Sequence, residues 1–386
     1  MTTRPLSRRE LNRATLARQF LLSRTDRSVP DVIEHLVGLQ AQTPHTWYTG
    51  LWTRIAGFSP EVAADGLVER TLVRMAVMRS TIHLVTARDA GALRALVQPV
   101  LDRDLFTNHT HKAAVRDLDL DAVTTAGREL LAERPRTQRE LGALLHQRWP
   151  DRPPAGLAYA VRNLVPLVQV PPRGLWGRSG SIAHTTAEAW LGGLPDGGPP
   201  DGGLLDRGLP GGGLDLAGLV RRYLGAFGPA TVRDLQTWSG LTRLSEVVDS
   251  IRGELLVLRD EDDRELFDLP QAPRPDADTP APPRYLYDFD NLLLSHADRS
   301  RVITGDFQRY SFRPHGPVPS VVLIDGVTGG DWTIERTGAA ATLHVRTYRR
   351  LSTELTTKVV TEGAGLLAFA AADADRHDVQ VRVVPD

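Results

Sequence analysis

Leu216 to Pro270 reads LAGLVRRYLGAFGPATVRDLQTWSGLTRLSEVVDSIRGELLVLRDEDDRELFDLP, and the punctuation of this stretch decides the fold. Apolar residues at helical spacing run from Leu216 to a glycine stop at Gly228. Pro229-Ala230-Thr231 starts a second helix, VRDLQTWSG, which Gly240 ends. A third, LSEVVDSIRG, follows Thr242. LLVLRDEDDRELFDLP then reads as an apolar strand, an acidic turn and a returning strand. Three short helices followed by a two-stranded hairpin is the order of a winged helix, a variant of the helix-turn-helix.

The same order recurs upstream. Asp121 to Glu133 reads as a helix, and TQRELGALLHQ (137–147) opens with a threonine N-cap and a glutamate three residues later. AGLAYAVRNL (155–164) is a third helix. Val165 to Thr186 reads as two strands around PPRGLWGRSGS, a wing with Arg173 and Arg178 at its tip. A looser copy occupies the N-terminus: helices over Leu11–Leu22, Pro30–Leu39 and Pro60–Glu69, then LVRMAVMRSTIHLV as paired strands.

Two breaks set the boundaries. Ten of the 22 residues from Gly192 to Gly213 are glycine and four are proline, so that segment cannot build a core and reads as a flexible loop. Prolines punctuate Pro270 to Arg284. Beyond them, SVVLIDG, GDWTIER, ATLHVRTYRR and HDVQVRVVP alternate as strands, with a helix over Thr353–Ala372. The expected architecture is α+β. Winged helices span 1–115, 116–191 and 214–270, a loop spans 192–213, and a mixed α/β module covers 284–386.

Composition narrows the chemistry. The chain has no cysteine, which removes disulfides, thiolate zinc sites, iron–sulfur clusters and a cysteine nucleophile. The formal net charge is -1, which excludes a uniformly basic nucleic-acid coat but not a local basic patch. Lys112 and Lys358 are the only lysines, so 44 of the 46 basic residues are arginine, the side chain that grips phosphate with paired hydrogen bonds. No run of 18 apolar residues and no signal-peptide core occur, so a cytoplasmic protein without membrane contact is expected.

The three wings are not equally suited to DNA. The third carries Asp260, Glu261, Asp262 and Asp263, which would repel phosphate. Arg173 and Arg178, and the N-terminal Arg4, Arg8, Arg9, Arg13 and Arg18, are better placed by charge.

The segment LVGLQAQTPHTWYTGLW (36–52) stands apart. Gln40 and Gln42 precede Pro44, which pushes Thr43 out of the α region. An extended Gln40-Ala41-Gln42 points both amides to one side. Neutral amides cannot serve as strong bases, but they can orient a water and stabilise a forming cation through their carbonyl dipoles. By residue type alone, surface or capping glutamines are the commoner case. Trp47, Tyr48 and Trp52 either pack beside a base or fill the core.

QAQTPHTWYTGLW, VRMAVMRSTIHLV, AFGPATVRDLQTWSGL and YDFDNLLLSHADRSRVI, in this order, resemble the AlkZ/YcaQ family of winged-helix DNA glycosylases, from about Leu11 to Val384. The resemblance implies three tandem winged helices around a concave DNA channel and hydrolytic removal of alkylated bases. Its catalytic motif is Gln-X-Gln in the AlkZ-like branch and Gln-X-Asp in the YcaQ-like branch. Gln40-Ala41-Gln42 matches the former, which is associated with self-resistance to DNA-alkylating natural products and with bulky N7-guanine or N3-adenine adducts, some interstrand crosslinks included. A cationic purine leaves without a strong acid, which suits neutral glutamines.

Other candidates each carry a bland alternative. Arg79, Thr81 and His83 fall on alternate positions of an expected strand and can face DNA beside Gln40, or simply support its loop. His184 follows the arginine-tipped wing, and His296, Arg299 and Arg301 lie in SHADRSR; all four are candidate DNA contacts or ordinary structural residues. His109 and His111 have metal-like spacing without other ligands, and a solvated loop is the better reading. Asp288, Asp290 and Asn291 resemble an acid–base or metal site, yet capping of the turn before Leu292 is the simpler role. No metal and no cofactor are expected. The expected partner is double-stranded DNA carrying alkylated bases, met by a monomer. Neither lysine lies in these motifs, so Schiff-base strand cleavage is not expected. The competing function is a non-catalytic winged-helix DNA binder, a regulator or drug-sequestering protein; a protein-interaction scaffold is a weaker third.

Overall fold

A computed structural model describes residues 4–192, 214–313 and 318–385. The glycine-rich 192–213 loop lies outside them apart from Gly192. Helix starts follow local chemistry. Reciprocal capping boxes, Ser7 with Glu10, Thr137 with Glu140 and Thr231 with Asp234, open the helices Arg8–Arg18, Gln138–Arg148 and Val232–Ser239.

The first sheet has six strands: β1 (Leu39–Gln40), β2 (Leu72–Ala76), β3 (Ile82–Thr86), β4 (Arg136–Thr137), β5 (Leu167–Gln169) and β6 (Ala183–Thr186). Their order is β1-β3-β2-β5-β6-β4, every pair antiparallel. The expected hairpins 72–85 and 165–186 are therefore one surface. They join where Arg74 opposes Gln169 and Met75 opposes Val168. Strand β4 was not legible, because two residues between two helices carry no periodic signal.

Leu216–Phe227, Val232–Ser239 and Leu244–Ser250 are helices, followed by a hairpin of β7 (Leu256–Arg259) and β8 (Glu265–Asp268). Gly240 adopts φ +81° and stops the second of these helices, as its position suggests. The second sheet runs β13-β12-β11-β10-β9, from β9 (Arg284–Leu286), β10 (Val321–Ile324), β11 (Val327–Thr337), β12 (Ala340–Thr347) and β13 (Arg376–Val383). Its pairs are antiparallel except β12–β13, which are parallel and joined through the helix Thr353–Ala370. The chain is thus mixed α+β.

The main core is shared. It runs from Val32 and Tyr48 on the N-terminal helices and Leu84 in the first sheet to Tyr223, Phe227 and Trp238 in the later helices. Residues 105–167 keep a separate core around Leu131, Leu145 and Val161. Leu16 and Leu21 pack with Leu286, Leu293 and Val321, so the first helix is docked on the C-terminal module.

That docking corrects one expectation. Of the N-terminal arginines, Arg13 and Arg18 are withdrawn from any phosphate-facing surface, while Arg4, Arg8 and Arg9 stay exposed. Arg18 is buried and pairs bidentately with buried Asp268 of β8 at 2.6 and 2.9 Å. Arg13 is buried, and it shares Asp325 with Arg9. Arg4 pairs with Glu10. The charges of Arg9, Arg13 and Arg18 are used in joining this helix to distant elements.

Candidate active site

Gly38 delivers β1 to the edge of the first sheet. It adopts φ +89°, and a Cβ there would lie 2.9 Å from Val85 Cγ1, so the turn needs glycine. On the inner side, Ala41 N–H donates to the Ile82 carbonyl at 2.8 Å, and Gln40 opposes His83. Arg74 Nη2 donates to the Ala41 carbonyl at 2.8 Å. Among the described residues no strand pairs with the outer side of β1. There Gln40 N–H donates to Asn291 Oδ1 at 3.2 Å, Asn291 Nδ2 donates to the Gly38 carbonyl at 2.6 Å, and the Tyr287 hydroxyl donates to the Gln40 carbonyl at 2.9 Å.

The two glutamines are not equivalent. Gln40 is buried, 4% exposed, and Gln42 lies at the surface. Both carbonyls are held from the β2–β3 hairpin, one from its turn and one from the first residue of β3. Arg79 Nη2 donates to Gln40 Oε1 at 2.6 Å, and Ile82 N–H donates to Gln42 Oε1 at 3.2 Å. Because the partners are donors, the amide orientations are fixed: oxygen toward the turn, NH2 away from it. Each carbonyl oxygen keeps a second lone pair.

Arg79 is the unusual cation. It sits in a 3-10 turn with φ +54°, and Ser80 follows at +60°. That turn breaks the strand expected to carry Arg79, Thr81 and His83 in alternation. The guanidinium donates to the Trp238 carbonyl and to Gln40. Burial, helped by the nearby charge of Arg299, pushes its pKa down to about 10. It therefore remains a cation at neutral pH, partnered by neutral oxygens.

The loop after Gln42 is pinned by Asp288, which accepts from the Thr43 and Thr46 hydroxyls, each at 2.5 Å. Asp290 forms a buried bidentate pair with Arg54, at 2.8 and 2.7 Å, and caps the turn by accepting from Leu292 N–H at 3.0 Å. Trp47 and Tyr48 fill the core, stacked at 3.8 Å, while Trp52 is half-buried under the Arg24 guanidinium.

Four candidate DNA contacts lie inside the protein instead. His83 is buried, bonds the Thr81 carbonyl, and is held neutral with its pKa pushed down to about 3 by burial. His184 is buried and pushed down to about 4. His296 is buried against the Phe227 carbonyl at 3.0 Å, with its pKa lowered by burial. Arg301 donates to the Pro229 carbonyl at 2.9 Å within the same interior. His296 and Arg301 serve as internal ties, and the His184 Nδ1 is buried without a partner, which charge patterning alone does not reveal. Arg178 and Arg299 are exposed, and Arg173 and Thr81 are half-buried. Arg173 reaches the Gly180 carbonyl at 3.1 Å across its own loop. His111 packs against the Tyr159 ring at 4.3 Å.

Two neutral amides braced by a desolvated guanidinium, with no strong base of their own, suit bond cleavage at a substrate that already carries its own activation. Comparison with known proteins names that class. The family model described as DNA glycosylase AlkZ-like matches residues 33–369, and the chain belongs to that family. It is a DNA glycosylase, a hydrolase of N-glycosyl bonds, and its substrate is DNA; the alternative of a non-catalytic DNA binder is set aside. An interstrand DNA cross-link repair glycosylase of Streptomyces sahachiroi is 27% identical over 338 residues, covering 83% of this chain and 85% of that protein. The solved structure of the Streptomyces sahachiroi DNA glycosylase AlkZ superposes with a TM-score of 0.75 at 21% identity, over 99% of this chain and 100% of that one, a likeness of fold. Among the described residues no helix is long and apolar enough to cross a membrane.

Proposed function

We propose that this enzyme excises cationic alkylpurines, N7-alkylguanine or N3-alkyladenine, bulky adducts and interstrand crosslinks included, with Gln40 and Gln42 as its catalytic pair. The observation that carries this is the clamping of both neutral amides by one hairpin, Gln40 through Arg79 of its turn and Gln42 through Ile82 N–H at the start of β3. A water held by the exposed Gln42 attacks C1′. Its oxygen bonds to carbon as the C1′–N9 bond breaks, the electron pair leaves with the already cationic base, and the water proton passes to solvent. The open lone pairs of the amide oxygens face the oxocarbenium-like sugar, where their dipoles lower the barrier. Without a carboxylate in the pair, an undamaged purine is too poor a leaving group. The cross-link repair named for the Streptomyces sahachiroi relative supports the bulky class, and resistance to an alkylating natural product fits the same chemistry.

In this reading the three helical units with their hairpins act as tandem winged helices lining a concave DNA channel, and a monomer suffices. Arg79, Thr81, Arg173, Arg178 and Arg299 supply the phosphate contacts; the surface position of Arg178 and Arg299 supports their part. The test is single-turnover release of base from N7-methylguanine duplex and from a bulky N7 adduct. Gln40→Ala and Gln42→Ala are expected to slow release roughly a hundredfold on both substrates, the order seen when a preorganised dipole is removed. Wild-type rates in both variants overturn the assignment.

A further inference from the structure

We infer that Asn291 is a positioning residue for Gln40: its side-chain amide takes the place of the missing strand beside β1 and so fixes the direction in which the catalytic glutamine projects. The inference deepens the proposed role of the glutamine pair and rests on it.

Edge strands leave alternate N–H and C=O groups without partners. Along β1 and the glycine before it, those outward groups are the Gly38 carbonyl and the Gln40 N–H and carbonyl. Asn291 satisfies the first two with one planar amide, Nδ2 to Gly38 at 2.6 Å and Oδ1 from Gln40 at 3.2 Å. That is the donor–acceptor pair a neighbouring peptide would offer. Tyr287 completes the set with its hydroxyl on the Gln40 carbonyl at 2.9 Å. Asn291 and Tyr287 are buried, so water does not stand in for them.

Asn291 is itself held rigid. It begins the 3-10 turn Asn291–Leu293, whose cap is Asp290, and Asp290 is fixed by its two bonds to Arg54. The backbone at Gln40 is thus tied to an anchor outside its own sheet. The side chain that leaves that backbone meets Arg79 at 2.6 Å. A small rotation of the Gln40 peptide would swing the amide off that bond.

A carboxamide matches both groups with one donor and one acceptor. Aspartate of the same shape accepts from Gln40 N–H, but when ionised it sets a carboxylate oxygen against the Gly38 carbonyl. Asn291→Asp therefore separates loss of the donor from loss of the side chain. Asn291→Ala removes both contacts.

The experiment is a double-mutant cycle on the full chain: wild type, Gln40→Ala, Asn291→Ala and the double variant, with Asn291→Asp and Tyr287→Phe alongside. Saturating single-turnover rates and half-saturating enzyme concentrations are measured on N7-methylguanine duplex. Asn291→Ala and Asn291→Asp are expected to lose roughly tenfold to hundredfold in rate, the scale of a buried backbone group left unmade, with less than about threefold change in half-saturation. Tyr287→Phe loses less. In the Gln40→Ala background, Asn291→Ala costs little more, because the group it positions is gone. The inference fails if Asn291→Ala and Asn291→Asp keep the wild-type rate while Gln40→Ala does not. It also fails if the Asn291 and Gln40 losses multiply, or if half-saturation worsens by the same factor as the rate. If Gln40→Ala keeps the wild-type rate, the catalytic assignment falls, and this inference falls with it. Should Asn291→Ala unfold, the isosteric Asn291→Asp carries the cycle instead.

Discussion

Arg79 shows how one residue can link recognition to chemistry. Its guanidinium is charged, mostly desolvated and held by the Trp238 and Gln40 oxygens, so it polarises the Gln40 amide it touches. Arg79→Lys replaces a planar fork with a point charge that cannot span both oxygens. Base release is expected to fall about tenfold to hundredfold, from the roughly 1.5–3 kcal/mol of a charge-assisted bond. Thermal unfolding of the same variant separates this from loss of fold, and an unchanged rate removes Arg79 from the site. Gln40 and Gln42 were singled out in the sequence by a contiguous motif that resembles the family's, since residue type alone favours ordinary surface glutamines. Their braces were not. Arg79 reaches Gln40 through two successive left-handed residues, Arg79 and Ser80, that no periodicity announces. Asn291 reaches it across 251 positions.

Among the elements, the helices and hairpins of 216–270 follow their punctuation closely, as do the long strands of the second sheet. Caps and glycine stops are local signals, and local signals survive folding. What failed was the assignment of charge to a surface. The helix Arg8–Arg18 carries buried arginines whose partners, Asp268 and Asp325, lie far along the chain. Asp268→Ala leaves Arg18 buried without its counter-charge, and Arg274 loses the same carboxylate. A loss of about 3–5 kcal/mol in urea-induced unfolding is expected. A change below 1 kcal/mol would show that water reaches Arg18. A second element-level prediction concerns the helix Trp47–Trp52. A Cβ on Gly50 would lie 2.6 Å from the Tyr287 ring, whose hydroxyl holds the Gln40 carbonyl. Gly50→Ala should displace that ring and slow base release more than it weakens DNA binding, measured by single-turnover rate and by fluorescence anisotropy.

Over the whole molecule, buried histidines set the response to acid. His83, His184 and His296 are all depressed by burial, the first two to about 3 and about 4. The native state keeps them neutral, whereas the unfolded chain protonates them near pH 6.5. Protons therefore bind the unfolded state preferentially below that pH. Stability is full above about pH 6.5 and declines as pH falls toward 4, by up to ~1.4 kcal/mol per pH unit for each histidine. Melting temperature is expected to hold from pH 8 to 7 and to drop between 6 and 4.5, with a shallower drop in His83→Gln. A flat profile across that range contradicts the burial of these rings.

The seam between β2 and β5 bears on how such a chain can be rebuilt. Four side positions, Arg74 with Gln169 and Met75 with Val168, stitch residues from either side of position 116 into one fabric. Cut there, the leading fragment would present a raw β2 border that invites other chains to anneal. Grafting a second unit from a cousin sequence would succeed only where the incoming strand reproduces that stitching, so the apparent modularity of the chain ends at its first sheet.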